Sequence, residues 1–381
     1  MFTVMSCPTC NNERPSKLRT HFSPWVNDDA VKNARRTLLA RLARSEPSLI
    51  FNSMSDLFSF EICAGGGGQA LGLEQGGFRH VALAEIDSDA CSTLRYNRPA
   101  WTIFEKDVRE ITGRGFKGID LFAGGVPCPP FSIAGKQLGH EDERDLFPAA
   151  LDLIAQSQPT AVLLENVPGL GKARFADYRD KIRERLTRLG FTFIDWQVLN
   201  SSNFGVPQLR PRFILVALKG PAVKRFRWPE IELDCPTVGD VLFDLMASRG
   251  WRGAKQWRKR ANGIGPTIVG GSKKHGGPDL GPTRAKAAWL EYGVDAMGIA
   301  NEPPDKDFPA DADPKLTVRM AARLQGFPDD WHFTGKKTAA YRQVGNAFPP
   351  PVARAVGMAI RAAILGQRKR KPIDEPLLKA V

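Results

Sequence analysis

The sequence predicts an α/β protein with a parallel sheet covered on both faces, joined to a smaller irregular module. Three observations predict it. Strand-length apolar runs alternate with helix-length segments between residues 57 and 218, the order of successive βαβ units. That alternation stops between residues 219 and 314, where Gly, Pro, Trp and basic residues crowd together. Organised sequence then returns over residues 315–366. The chain has 381 residues, 42% hydrophobic and 25% charged, an ordinary globular balance that excludes a fibrous or wholly disordered chain.

Taken in order, residues 1–55 form an extension of unknown role, with a helix expected over 28–44 on Val31, Leu38, Leu39 and Leu42. Its Cys7 and Cys10 are half of a zinc site, and His21 is a poor candidate to complete it, so no metal is expected. Residues 56–218 read as one α/β domain. The run 57–64 ends in a glycine cluster and opens a helix near Gln69, and the run 81–86 stops at Asp87. Runs at 119–123 and 161–164 flank a helix near 146–156. A helix over 176–189 then leads to runs at 191–198 and 212–218. Residues 315–366 complete this domain, and 367–381 form a basic tail.

Lys and Arg number 54 against 41 Asp and Glu, a net charge of +13, which favours a polyanionic partner through counterion release. Six cysteines in so long a chain do not make a disulfide framework. No apolar run approaches the roughly 18 residues of a membrane span. The N-terminus lacks the basic-then-apolar order of a secretory signal. A cytoplasmic, nucleoid-associated location is therefore expected.

Ligands of open α/β sheets bind beyond the carboxyl ends of the strands, so the residues after each run are the candidates. Ala64-Gly-Gly-Gly-Gly68 permits close backbone approach and opens a helix with free amides. Glu85-Ile-Asp87 offers an acid suited to a ribose hydroxyl pair. No Lys-Ser or Lys-Thr follows the glycines, which excludes a triphosphate P-loop. Cys128 sits among prolines in a stiff extended loop. Glu165 ends the next run, and Arg210 and Arg212 flank Pro211 at the mouth of another. Alternate residues of a strand share a face, so both guanidiniums are expected in one cleft.

These blocks resemble the DNA (cytosine-5)-methyltransferases of bacterial restriction-modification type. The resemblance rests on Phe60-Glu-Ile-Cys-Ala-Gly-Gly-Gly-Gly68, Glu85-Ile-Asp87, Lys106-Asp-Val108, Pro127-Cys-Pro-Pro-Phe-Ser132, Glu165-Asn-Val167 and Gln208-Leu-Arg-Pro-Arg212. Leu316-Thr-Val-Arg-Met320, Leu324-Gln-Gly-Phe-Pro328 and Tyr341-Arg-Gln-Val-Gly-Asn346 follow in the family's order. It implies a Rossmann-like S-adenosylmethionine-dependent methyltransferase fold, with residues 56–218 as the catalytic and cofactor-binding domain and residues 219–314 as target recognition domain. By transfer, Cys128 is the nucleophile toward carbon 6 of a flipped-out cytosine, Glu165 acts at N3, and Arg212 supports both with Arg210 alongside. Gly65, Gly68, Glu85, Ile86, Asp107, Pro127 and Asn346 are the implied residues for S-adenosyl-L-methionine. Arg258, Lys259, Lys273 and Arg284 are candidates for contacts to double-stranded DNA.

The sequence departs from the family pattern at Glu61 (usually Asp), Cys63 (usually aromatic), Pro129 (commonly Gln) and Met320 (commonly Glu). None of these removes a residue that the chemistry requires. The implied role is protection of host DNA by a monomer functionally paired with a restriction endonuclease. The alternatives are transfer RNA methylation, against which the missing Cys-Phe-Thr signature speaks, and a non-catalytic DNA-binding relic.

Overall fold

A computed structural model describes residues 56–127, 145–230, 234–271 and 279–366. The expectations on Cys7, Cys10, the helix over 28–44, Cys128, Pro129, Lys273 and the basic tail lie outside those residues.

The first strand, β1 (Leu57–Ile62), buries Phe60 and Ile62 on one face, where Phe60 stacks on Phe116 with ring centroids 4.3 Å apart. Its other face carries Ser59 and Glu61, since alternate residues point oppositely. Helix α1 (Gly68–Gln75) follows, then β2 (Phe78–Glu85), α2 (Ser88–Asn97), β3 (Ile103–Glu105) and β4 (Leu121–Gly125). Helix α3 (Phe147–Ser157), β5 (Ala161–Asn166), α4 (Ala176–Arg188) and β6 (Phe193–Asn200) continue the alternation. Asp87 caps α2 by accepting from the amides of Asp89 and Ala90, which ends the second run where the sequence expects.

The seven-stranded sheet has the order β3-β2-β1-β4-β5-β8-β6, with β8 spanning Pro211–Leu218. Strands β1 to β5 pair in parallel, but β8 runs antiparallel to both β5 and β6. The expected parallel sheet therefore holds for β1 to β5, and β8 departs from it. Only residues 201–210 join β6 to β8, which is short for a crossover of a dozen or more residues, so the chain turns back. The order reverses between β2 and β4 on either side of β1, and there the glycine cluster stands.

Helix α1 is buried from Gly68 through Leu73 because the C-terminal helix Pro350–Leu365 lies across it. A Cβ on Gly72 would sit 2.4 Å from Pro350 O and 2.6 Å from Ala353 Cβ, so only glycine permits this crossing. The helix Pro350–Leu365 thus returns to the first helix of the sheet domain.

The irregular module holds α5 (Val238–Ala247), α6 (Ala254–Arg260) and α7 (Thr283–Glu291) around buried Trp251, Trp257 and Trp289. Its two-residue strand β9 (Gly265–Pro266) pairs in parallel with β7 (Gln208–Leu209), which lies just before β8 in the chain. The same hydrophobic cluster includes Leu316, Met320, Leu324, Tyr341 and Val344, so the module and residues 315–347 share one core. Among the described residues no helix is long and apolar enough to cross a membrane.

Candidate active site

A cavity of about 490 Å³ opens at the switch point, bordered by Gly65, Glu85, Ile86, Asp107, Pro127 and Asn346 on its rim and by Glu165 on its wall. Of the glycines, Gly65 adopts φ +52° and a Cβ there would meet nothing within 4 Å, so its backbone faces open space. Gly68 is demanded instead by packing, since a Cβ would lie 2.3 Å from Phe348 O. Trp331 Nε1 donates to Gly66 O at 3.0 Å, holding the loop from the C-terminal side.

Glu85 organises this loop. Its Oε2 accepts from Gly65 N at 2.7 Å, and its Oε1 accepts from the amides of Ile86 and Asp87 at 2.9 Å each. A carboxylate offers about four acceptor positions, so roughly one is left for a ligand hydroxyl. Ile86 is 66% exposed, an apolar face at the rim. Asp107 accepts from Arg109 N at 2.9 Å and pairs with the Arg109 guanidinium at 2.6 Å, which holds its carboxyl below the usual range. Asn346 ends helix α8 (Lys337–Asn346) and donates to Gly271 O at 3.0 Å.

Two further cavity residues carry unmet polar atoms, Glu61, which the sequence marks only as a departure, and Gln69, to which it assigns no role. Glu61 and Gln69 border the cavity from β1 and α1. All four of their side-chain oxygen and nitrogen atoms are buried without a hydrogen-bond partner among the described residues. Burial, helped by Glu85, pushes the Glu61 carboxyl well up. The signal in the sequence was an acid in the middle of an apolar strand. Cys63, another departure, lines the cavity in a left-handed conformation, and burial raises its thiol above the ordinary range.

Glu165 lies opposite Gly125 in the β4–β5 ladder, and a Cβ on Gly125 would sit 3.4 Å from its Oε2. Arg212 Nε stands 2.7 Å from Glu165 Oε1, with the side chains 10% and 12% exposed. Burial raises the Glu165 carboxyl, while the charges of Arg212 and Arg210 pull it back. Asn166 Nδ2 donates to Val126 O at 2.8 Å, which ties the end of β5 to the chain just before Cys128.

Arg210 does not share that cleft. Its Nη atoms donate to the carbonyls of Ile268, Gly345 and Ala347. The reason is the change of element between them: β8 begins at Pro211, so strict strand alternation does not extend back to Arg210. Of the expected DNA contacts, Arg258 pairs with Asp240 at 2.8 Å, while Lys259 and Arg284 are exposed.

An open sheet with a cavity at its switch point and an amide-ringed acid on its border is the ligand-binding arrangement of the open α/β proteins. Residues 57–362 match the family model of the C-5 cytosine-specific DNA methylases. The chain is 52% identical over 337 residues to the Type II methyltransferase M.NaeI of Lentzea aerocolonigenes, covering 86% of this chain and 81% of the relative. It is 53% identical over 309 residues to M.NgoMIV of Neisseria gonorrhoeae, covering 80% and 97%. It belongs to that family and is a DNA cytosine-5 methyltransferase. The fold is also that of an E. coli prophage-encoded putative DNA modification methyltransferase, with TM-score 0.58, 24% identity and coverage of 81% and 100%. An Entamoeba histolytica methyltransferase shares it with TM-score 0.59, 14% identity and coverage of 82% and 99%.

Proposed function

We propose that this chain methylates carbon 5 of a flipped-out cytosine in a short double-stranded DNA sequence, using S-adenosyl-L-methionine. Glu165 on the cavity wall, paired from behind with Arg212, carries the reading, because it joins an acid fit for a pyrimidine to the glycine-lined pocket. The cavity suits the cofactor: Gly65 is open, Ile86 offers an apolar face, and Glu61 and Gln69 supply buried polar atoms without partners among the described residues. Glu85, Asp107 and Asn346 border it as polar groups, and Gly68 and Pro127 shape its walls. The cofactor supplies an electrophilic methyl group when bound.

Carbon 5 of cytosine is too weak a nucleophile unaided. Cys128, as thiolate, adds to carbon 6 and pushes electrons toward carbon 5 and N3. Glu165 meets that charge at N3. Its raised affinity for a proton, due to burial, suits it to donate there, and Arg212 holds the carboxyl in place. After transfer, the carbon-5 proton is lost to solvent, the N3 proton returns to Glu165 and the Cys128 sulfur departs as thiolate, which restores the aromatic ring and the starting state of both side chains. The two relatives above are named Type II methyltransferases. Protection of host DNA from a cognate restriction endonuclease follows as the biological role, performed by a monomer in the cytoplasm.

Base-resolution conversion sequencing of plasmid DNA from a methylation-free host expressing the chain tests this. One short motif carrying 5-methylcytosine is expected, and it should vanish in Cys128→Ala. Unmodified plasmid from soluble protein that still binds cofactor would overturn the reading.

A further inference from the structure

Arg210 stands two residues from Arg212 yet serves a different part of the molecule. Its side chain is 1% exposed. Nη1 donates to Ile268 O at 2.6 Å, and Nη2 donates to Gly345 O and Ala347 O at 2.9 Å each. Ile268 belongs to the irregular module, while Gly345 and Ala347 bracket the cavity residue Asn346. One guanidinium therefore clamps two parts of the chain that the sequence separates widely. Among the described residues no carboxylate meets its Nη atoms, so the clamp stabilises less than it orients: a buried charge satisfied by neutral carbonyls is costly to desolvate.

Beside the clamp the two backbones touch directly. A Cβ on Gly270 would lie 2.5 Å from Arg342 O and 2.8 Å from Asn346 Oδ1, and one on Gly345 would lie 2.4 Å from Gly270 N. Asn346 Nδ2 donates to Gly271 O at 3.0 Å, and the Tyr341 hydroxyl donates to Val269 O at 3.2 Å. Ile268 N donates to Gln208 Oε1 at 2.8 Å, whose amide reaches Gln325 Oε1 at 3.1 Å. Residues 268–271 thus back the wall of the cavity that Arg342 and Asn346 form. A shift of either backbone must move the other, since no side chain lies between them to absorb it.

We propose that Arg210 is a positioning residue that locks residues 268–271 of the module against Asn346, so that cofactor in the cavity and DNA on the module raise each other's affinity. The proposal rests on the cofactor and DNA assignments above. A wild-type protein that bound neither ligand would refute those assignments, whereas one that bound both without mutual effect would refute this one.

The test measures the affinity of S-adenosylhomocysteine by calorimetry with and without a short duplex carrying the site mapped by conversion sequencing. Duplex affinity is measured by fluorescence anisotropy with and without S-adenosylhomocysteine. Coupling is reciprocal, so the wild type should give one factor in both directions, about 5- to 150-fold. Arg210→Lys keeps the charge but cannot span three carbonyls, and Gly270→Ala wedges the backbones apart. In both the factor should fall toward 1. Tyr341→Phe removes one hydrogen bond and should reduce the factor partially. Because the factor is a ratio, a variant with weakened binding to either ligand still reports it. If Arg210→Lys does not fold, the other two decide. An undiminished factor in the folded variants overturns the proposal.

Discussion

Replacing Arg212 by Met removes a charge from a buried pair while keeping an unbranched chain of comparable length. Glu165 is then left 12% exposed without its nearest cation. Two unit charges about 4 Å apart attract by roughly 4 kcal/mol at an effective dielectric near 20. Breaking one half of a buried pair typically costs about 3–5 kcal/mol. The carboxyl has an escape, because its proton affinity is already raised by burial and rises further without Arg212. A carboxyl whose folded value is raised favours the folded state at low pH and loses that advantage as pH climbs past its unfolded value. The penalty should therefore be about 3 kcal/mol at pH 8 and shrink to about 1 kcal/mol or less at pH 5. Urea unfolding of Arg212→Met and wild type, followed by tryptophan fluorescence at pH 5, 6, 7 and 8, measures it. A loss equal at pH 5 and pH 8 would show that packing, rather than an uncompensated carboxylate, is at stake, and the argument fails. The double variant Glu165→Leu with Arg212→Met should regain most of the stability while remaining inactive, since neither member of the pair leaves an unmatched charge.

His80 lies under α1 between Ser59 Oγ and Ala70 O, at 2.9 Å each, and burial pushes its imidazole down to about 4. The unfolded state takes up a proton near pH 6.5, so stability present above that value should be lost between pH 6.5 and 4, by about 3 kcal/mol. His80→Gln should lack this component in urea titrations, and parallel pH curves for the two proteins would count against it. Glu61 presents the opposite sign: its buried carboxyl, raised by desolvation and Glu85, costs more as pH increases. Glu61→Gln should stabilise the ligand-free protein by at least about 1 kcal/mol at pH 8, less at pH 5, and weaken S-adenosylhomocysteine binding in calorimetry. Gly72→Ala should destabilise by about 1–3 kcal/mol despite alanine's better helix propensity, because its methyl group meets Pro350 O. A raised Tm would contradict the packing described here.

Much of the site was legible because its residues follow apolar runs. Residues 57–64 read as a strand from the pattern that buries Phe60 and Ile62, and Glu85 and Glu165 stand at strand ends as expected. Glu85 itself shows what linear reading misses. Its acceptors are occupied by three backbone amides, a use set by how the loop folds over it. Gly65 and Gly68 look alike in sequence, yet one faces the cavity and the other meets Phe348, nearly three hundred residues away in the chain.

By itself the sequence determined the family, the α/β alternation and the acids and guanidiniums at the strand ends. These depend on local periodicity and on residue types that the chemistry cannot replace. Only the tertiary structure decided that β8 runs antiparallel, that the irregular module shares its core with residues 315–347, and that Arg210 faces Ile268, Gly345 and Ala347 instead of Glu165. Those outcomes depend on which distant backbones come into contact, and a side chain two residues from its neighbour can answer to a different part of the fold.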